Sequence, residues 1–154
     1  MNPDKSNALL SDEDINSFLN SYLAPIRLSG ILDSGYPIIC SLWFEHRDNA
    51  IWCATKKTSR IARVFADNTK CAFELAPNEP PYYGVRGQGI ASLHLENTDD
   101  LLERLIIRYL GNNESRLAKK LLNNTATEVV IKVEPTKIFS WDYRKRMEES
   151  GKLR

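Results

Sequence analysis

Gly35-Tyr36-Pro37-Ile38-Ile39-Cys40-Ser41-Leu42-Trp43-Phe44-Glu45-His46-Arg47-Asp48-Asn49-Ala50-Ile51-Trp52-Cys53-Ala54-Thr55 is the stretch whose reading decides the fold. Ile38, Cys40, Leu42 and Phe44 alternate with Ile39, Ser41, Trp43 and Glu45, the period of two that places successive side chains on opposite faces of a strand. The pattern predicts one strand from Tyr36 to Glu45. Both faces are fairly apolar, which predicts cover on each side. Arg47-Asp48-Asn49 reads as a turn, and Ala50 to Thr55 as the next strand.

Upstream, Ile26 to Leu32 reads as a strand ending in the turn Asp33-Ser34-Gly35, so the three strands predict a meander of hairpins. Before them, Ser11-Asp12-Glu13-Asp14 carries a capping serine and acidic residues suited to a helix N-terminus. Ile15, Phe18, Leu19, Tyr22 and Leu23 follow at helical spacing, and Pro25 stops the helix. Downstream, a short helix over Ser59 to Phe65 precedes a strand from Lys70 to Leu75. A long strand from Tyr83 to Leu95 is interrupted by Gly84, Gly87 and Gly89, spaced like bulges or barrel bends. Helices over about Asp99 to Leu110 and Glu114 to Leu122 lead to a last strand, Glu128 to Trp141, and a charged tail. A helix, several antiparallel strands, a helical excursion and a closing strand predict a mostly β fold with flanking helices, an antiparallel barrel in a single domain over 1–154.

Composition narrows the function. Hydrophobic residues make up 42% and charged residues 27%, ordinary for a globular chain. A net charge of +1 argues against general nucleic-acid binding, which calls for a strong basic excess. No apolar run is long enough to cross a bilayer, and Met1 to Asn7 lacks the pattern of a signal peptide, so a cytoplasmic, membrane-free protein is expected. The three cysteines, Cys40, Cys53 and Cys71, lie in strand-like runs and read as reduced core thiols. His46 and His94 are far apart, and nothing has metal-ligand spacing.

Thr55-Lys56-Lys57-Thr58-Ser59-Arg60 is the densest phosphate-friendly cluster. It follows a strand and enters a helix, where free backbone N–H groups favour an anion; a solvated basic turn is the competing account. Arg27, at the start of the first strand, is a second anion-binding candidate, with a surface arginine an equal account. No nucleophile–base pair is visible from spacing, so no catalytic side chain is assigned.

Gly35-Tyr36-Pro37, Leu42-Trp43-Phe44, Ile51-Trp52-Cys53-Ala54-Thr55, Ser59-Arg60 and Asp67 resemble the N-terminal half of the pyridoxamine 5′-phosphate oxidase-like family. Gly84-Val85-Arg86-Gly87-Gln88-Gly89-Ile90-Ala91, Arg108-Tyr109-Leu110-Gly111 and Ile138-Phe139-Ser140-Trp141-Asp142 extend the resemblance over most of the chain. It implies a split β-barrel homodimer with FMN in clefts between subunits, and an oxidoreductase passing hydride or electrons through that flavin to a small molecule. It also implies the cofactor contacts. Ile39, Ser41, Leu42 and Trp43 run along the ring. Arg60 takes the phosphate with Ser59 and Thr55 assisting, Ala54 and Lys56 are further cofactor contacts, and Arg27 is a further phosphate or ribityl contact. Trp141 approaches from the partner chain. Core packing is the rival account of Trp43, and barrel sealing that of Trp141. The Arg-x-His pattern of true pyridoxamine phosphate oxidases is not evident after Trp141, so vitamin B6 oxidation is not implied. The same fold also suits a non-catalytic holder of flavin, deazaflavin or haem, His46 and His94 being the available axial donors for the last.

Overall fold

The sheet is antiparallel throughout, with seven strands in the order β2-β1-β5-β6-β7-β4-β3. We describe it from a computed structural model, which describes residues 9–151. The strands are β1 (Ile26–Ile31), β2 (Pro37–Leu42), β3 (Phe44–Arg47), β4 (Ala50–Lys56), β5 (Lys70–Leu75), β6 (Tyr83–His94) and β7 (Glu128–Asp142). The helices are α1 (Asp12–Ser21), α2 (Arg60–Asp67), α3 (Thr98–Leu110), α4 (Arg116–Asn123) and α5 (Arg144–Glu149).

The order of strands explains the shape. The two outermost strands, β2 and β3, are consecutive in sequence, with only Trp43 between them. A flat sheet cannot satisfy that connection, so the sheet curls until its edges meet at Trp43. The expected single strand from Tyr36 to Glu45 is therefore two strands on opposite edges, and β2 and β3 do not pair. The expected three-strand meander is accordingly two hairpins, β1–β2 and β3–β4. Tight turns fix both registers. Gly35 has φ +85°, and Asp48 and Asn49 have φ 52° and 57°, the left-handed pair that a two-residue hairpin turn needs.

Inside the curl, Ile26, Leu28, Phe44, Ile51, Cys53, Val85 and Ile131 are buried. Helix α1 contributes Phe18 and Leu19 to this core, and α2 contributes Ile61, Val64 and Phe65. Each such side chain stabilises the fold by about 1.5–3 kcal/mol when fully buried. Helix α2 approaches β1 so closely that a Cβ on Gly30 would stand 2.9 Å from Val64 Cγ1. Helix α3 covers the outside of β4 and β7, where Leu101, Leu105 and Val130 pack with Trp43, Trp52, Ala54 and Tyr109. The long β6–β7 ladder changes register between Gln88 and Gly89, the bulge that its glycines foreshadow. Among the described residues no helix is long and apolar enough to cross a membrane, and no three metal-ligating side chains converge.

Candidate functional site

Two features remain open after this packing. The first is a seam. Strand β4 pairs with β3 only as far as Cys53, but with β7 as far as Lys56. Ala54, Thr55 and Lys56 therefore run past their partner and leave one backbone edge unpaired among the described residues. Strand β2 pairs only with β1, so its far edge is unpaired too. These two free edges belong to strands that approach each other where the curled sheet closes. Unpaired strand edges present rows of N–H and C=O groups that seek partners.

Ser59 and Arg60 follow directly from the β4 side of the seam. Ser59 caps α2, its Oγ accepting from the Ala62 N–H at 3.2 Å, which leaves its own O–H hydrogen free to donate. Arg60 is exposed and lines a cleft in which two arginines, Arg60 and Arg63, stand with two carboxylates, Asp33 and Asp67. Lys57 turns elsewhere, into a cleft that also holds Asp99, Asp100 and Glu128, a setting poorly suited to a phosphate.

The second feature is a groove of about 540 Å³ on the outer face of the sheet. Cross-strand register builds it. One row runs Ser41, Arg27, Glu74, Arg86 and Phe139 from β2 to β7; the next runs Ile39, Ser29, Ala72, Gln88 and Lys137. Arg27 donates to Ser41 Oγ at 3.2 Å, and Arg86 lies 5.5 Å from the Trp141 ring centroid. Ile39 is 73% exposed and Phe139 47%. The expected cover on both faces of β2 is thus absent within this chain: its inner face packs on the core and its outer face is open.

No protein-family model and no curated protein matches the sequence. Solved structures do match the shape. A conserved hypothetical protein from Mycobacterium tuberculosis superposes with a TM-score of 0.79 at 23% identity, over 92% of this chain and 91% of that one. A structure named as F420 reductase gives 0.70 at 19%, over 83% and 98%. A protein from Listeria innocua, provisionally named as a pyridoxamine 5′-phosphate oxidase, gives 0.63 at 17%, over 82% and 94%.

The chain has the split-barrel fold of the pyridoxamine 5′-phosphate oxidase-like proteins.

Within this split barrel the residues singled out from the sequence fall into distinct places. Ile39, Ser41 and Leu42 lie on β2 along the seam, with Ala54, Thr55 and Lys56 across from them on β4 and Ser59 and Arg60 at its end. Arg27 and Ile39 line the outer groove, and Trp141 stands beside it through Arg86. Trp43 stacks on Tyr109, ring centroids 5.0 Å apart and 5° from parallel, and so belongs to the packing under α3. Ala54 packs in the same cluster. Glu74, Gln88 and Phe139 are groove residues that sequence reasoning passed over; strand alternation around Arg86 holds the signal for Gln88, but which face is uncovered is a property of the assembled sheet.

The histidines are engaged elsewhere. His46 Nδ1 lies 3.5 Å from Asn20 Nδ2, and burial pulls its pKa down. His94 Nε2 is 2.8 Å from Ser92 Oγ. Neither lines the groove.

Proposed function

We propose that this split barrel binds FMN and serves as an oxidoreductase for a small molecule. The observation that carries the reading is the seam: two unpaired strand edges facing each other, flanked by an exposed arginine at a helix start and by an uncovered apolar groove. A flavin asks for those elements. Its flat ring needs apolar walls, its polar edge needs backbone donors and acceptors, and its phosphate needs fixed cationic and N–H donors. The backbone of β2 from Ile39 to Leu42 would meet the ring edge. Arg60, the Ser59 hydroxyl, Thr55 and the first N–H groups of α2 would hold the phosphate, with Arg27 along the ribityl chain.

The bound flavin would supply hydride or electron transfer, and the protein would orient it and exclude water. A second copy of the chain laid on the outer groove would close the site, bring its Trp141 to the flavin, and cover Ile39 and Phe139. The match to a structure named as F420 reductase supports a deazaflavin as the second reading of the same site. Neither His46 nor His94 lines the groove, so no histidine is placed there as an axial donor for haem.

An absorption spectrum of protein purified without added cofactor tests this. Flavin bands that bleach on adding NAD(P)H, with turnover, are the expected result. Protein that stays colourless after incubation with FMN and desalting would overturn the reading.

A further inference from the structure

A cleft of about 530 Å³ opens where the β4–α2 loop, the start of α3 and the Thr125–Thr127 turn come together, outside the outer groove and just beyond the Lys56 end of the seam. Lys57, Leu95, Asp99, Asp100, Ala126 and Glu128 line it. Its most unusual member is Glu128, the only charged side chain among the described residues in the buried class, with 8% exposure.

Glu128 has no hydrogen-bond or ion-pair partner among the described residues. It is opposite Lys56 in the β4–β7 ladder, but that ammonium does not come within 4 Å of it. Burial pushes its carboxyl pKa up, and Lys56 only partly opposes this. Its oxygens are not sealed from water, so a cation entering the cleft can reach them and offset this partial desolvation.

The rest of the lining narrows the ligand. With Asp99 and Asp100, three carboxylates stand against Lys57 and the neighbouring Lys56, a net negative balance that favours cations over anions. Leu95, 67% exposed, and Ala126 offer apolar surface beside those carboxylates. The arrangement matches an ammonium group attached to a short hydrocarbon chain. We propose that this cleft is a binding site for a small alkylammonium compound, with Glu128 pairing its nitrogen and Leu95 and Ala126 contacting its methylenes.

The test is an NMR titration of the intact, isotopically labelled protein with three probes of equal chain length: 1,4-diaminobutane, 1,4-butanediol and succinate. The diamine is expected to give saturable shifts confined to the amides of Thr98 to Asp100 and Thr125 to Glu128, and the diol and the diacid none. Glu128→Gln should weaken the diamine at least tenfold. Asp100→Asn, an exposed change that leaves the core untouched, should weaken it severalfold and decides the matter if the first variant misfolds. No saturable shift with the diamine, equal shifts with the diol or succinate, or unchanged affinity in the folded variants overturns the proposal.

Discussion

Arg108→Met should destabilise the fold by about 2 kcal/mol, and the estimate can be built from its contacts. Arg108 projects from α3 and closes the C-terminal end of α1. Its Nη1 donates to the Asn20 carbonyl at 2.7 Å, and its Nη2 to Leu19 and Tyr22 at 3.3 and 3.4 Å. The guanidinium also lies 5.2 Å from the Phe44 ring centroid. Only the first bond is short, and a bond to a charged donor contributes about 1.5–3 kcal/mol; the two long ones add roughly 1 kcal/mol together. Against this, Arg108 Nε is buried with no partner, a penalty of about 1 kcal/mol that methionine removes. Methionine keeps most of the apolar stem, so packing changes little. The net loss of about 2 kcal/mol corresponds to a Tm lower by roughly 4–8 °C for a chain of this length. Urea denaturation with matched m-values is the assay, and Arg108→Lys, which keeps the charge but loses the fork, should fall between the two. A Tm within about 1 °C of wild type for Arg108→Met would refute the capping account.

Three further outcomes follow from local geometry. A Cβ at Gly87 would sit 2.4 Å from Phe73 Cζ and 2.5 Å from the Lys137 carbonyl, so Gly87→Ala should cost about 3 kcal/mol in chemical denaturation; a loss under about 0.5 kcal/mol contradicts it. Asp142 accepts from Arg144 Nη2 at 2.7 Å and from its Nε at 2.9 Å, which holds the Asp142 carboxyl below its ordinary value. That stability is present above the unfolded carboxyl pKa and is lost as pH falls through the lower folded one, so the Tm gap between wild type and Asp142→Asn should close in acid; a constant gap refutes it. Burial pushes Cys71 to about 11 and Cys53 higher still, and raises Cys40. Native protein at pH 7.5 should therefore resist iodoacetamide while urea exposes every thiol, and rapid labelling of the native form would contradict this.

Much of this architecture is legible in the residues themselves. Ser11, Ser59 and Gly111 mark helix ends where the structure has them, because capping is a local matter of a few atoms. The Gln88–Gly89 bulge is likewise announced by glycine spacing. The break at Trp43 is not. Alternation runs in phase from Ile38 to Phe44 across it, since inward-facing residues stay inward while the chain crosses from one sheet edge to the other. Curvature of the whole sheet decides that crossing, and no short window contains it.

The candidate site divides the same way. Thr55, Ser59 and Arg60 are readable as a strand-to-helix cluster. Whether Ile39 faces protein or an open groove depends on what lies over β2, and an apolar strand face looks the same in both cases. Glu128 acquires its meaning only from the pairing that sets it opposite Lys56, far away in the chain. Trp43 suits either a ring site or packing from its sequence alone; in the fold Tyr109 on α3 stacks on one of its faces.

Fluorescence-quench titration of FMN against wild type and Arg60→Ala, side by side, probes the anchoring of the flavin most directly. The account predicts saturable binding by wild type and an affinity about thirtyfold lower in the variant, equivalent to roughly 2 kcal/mol for one lost charge-assisted contact. Identical curves for both proteins, or no quenching by either, would contradict it.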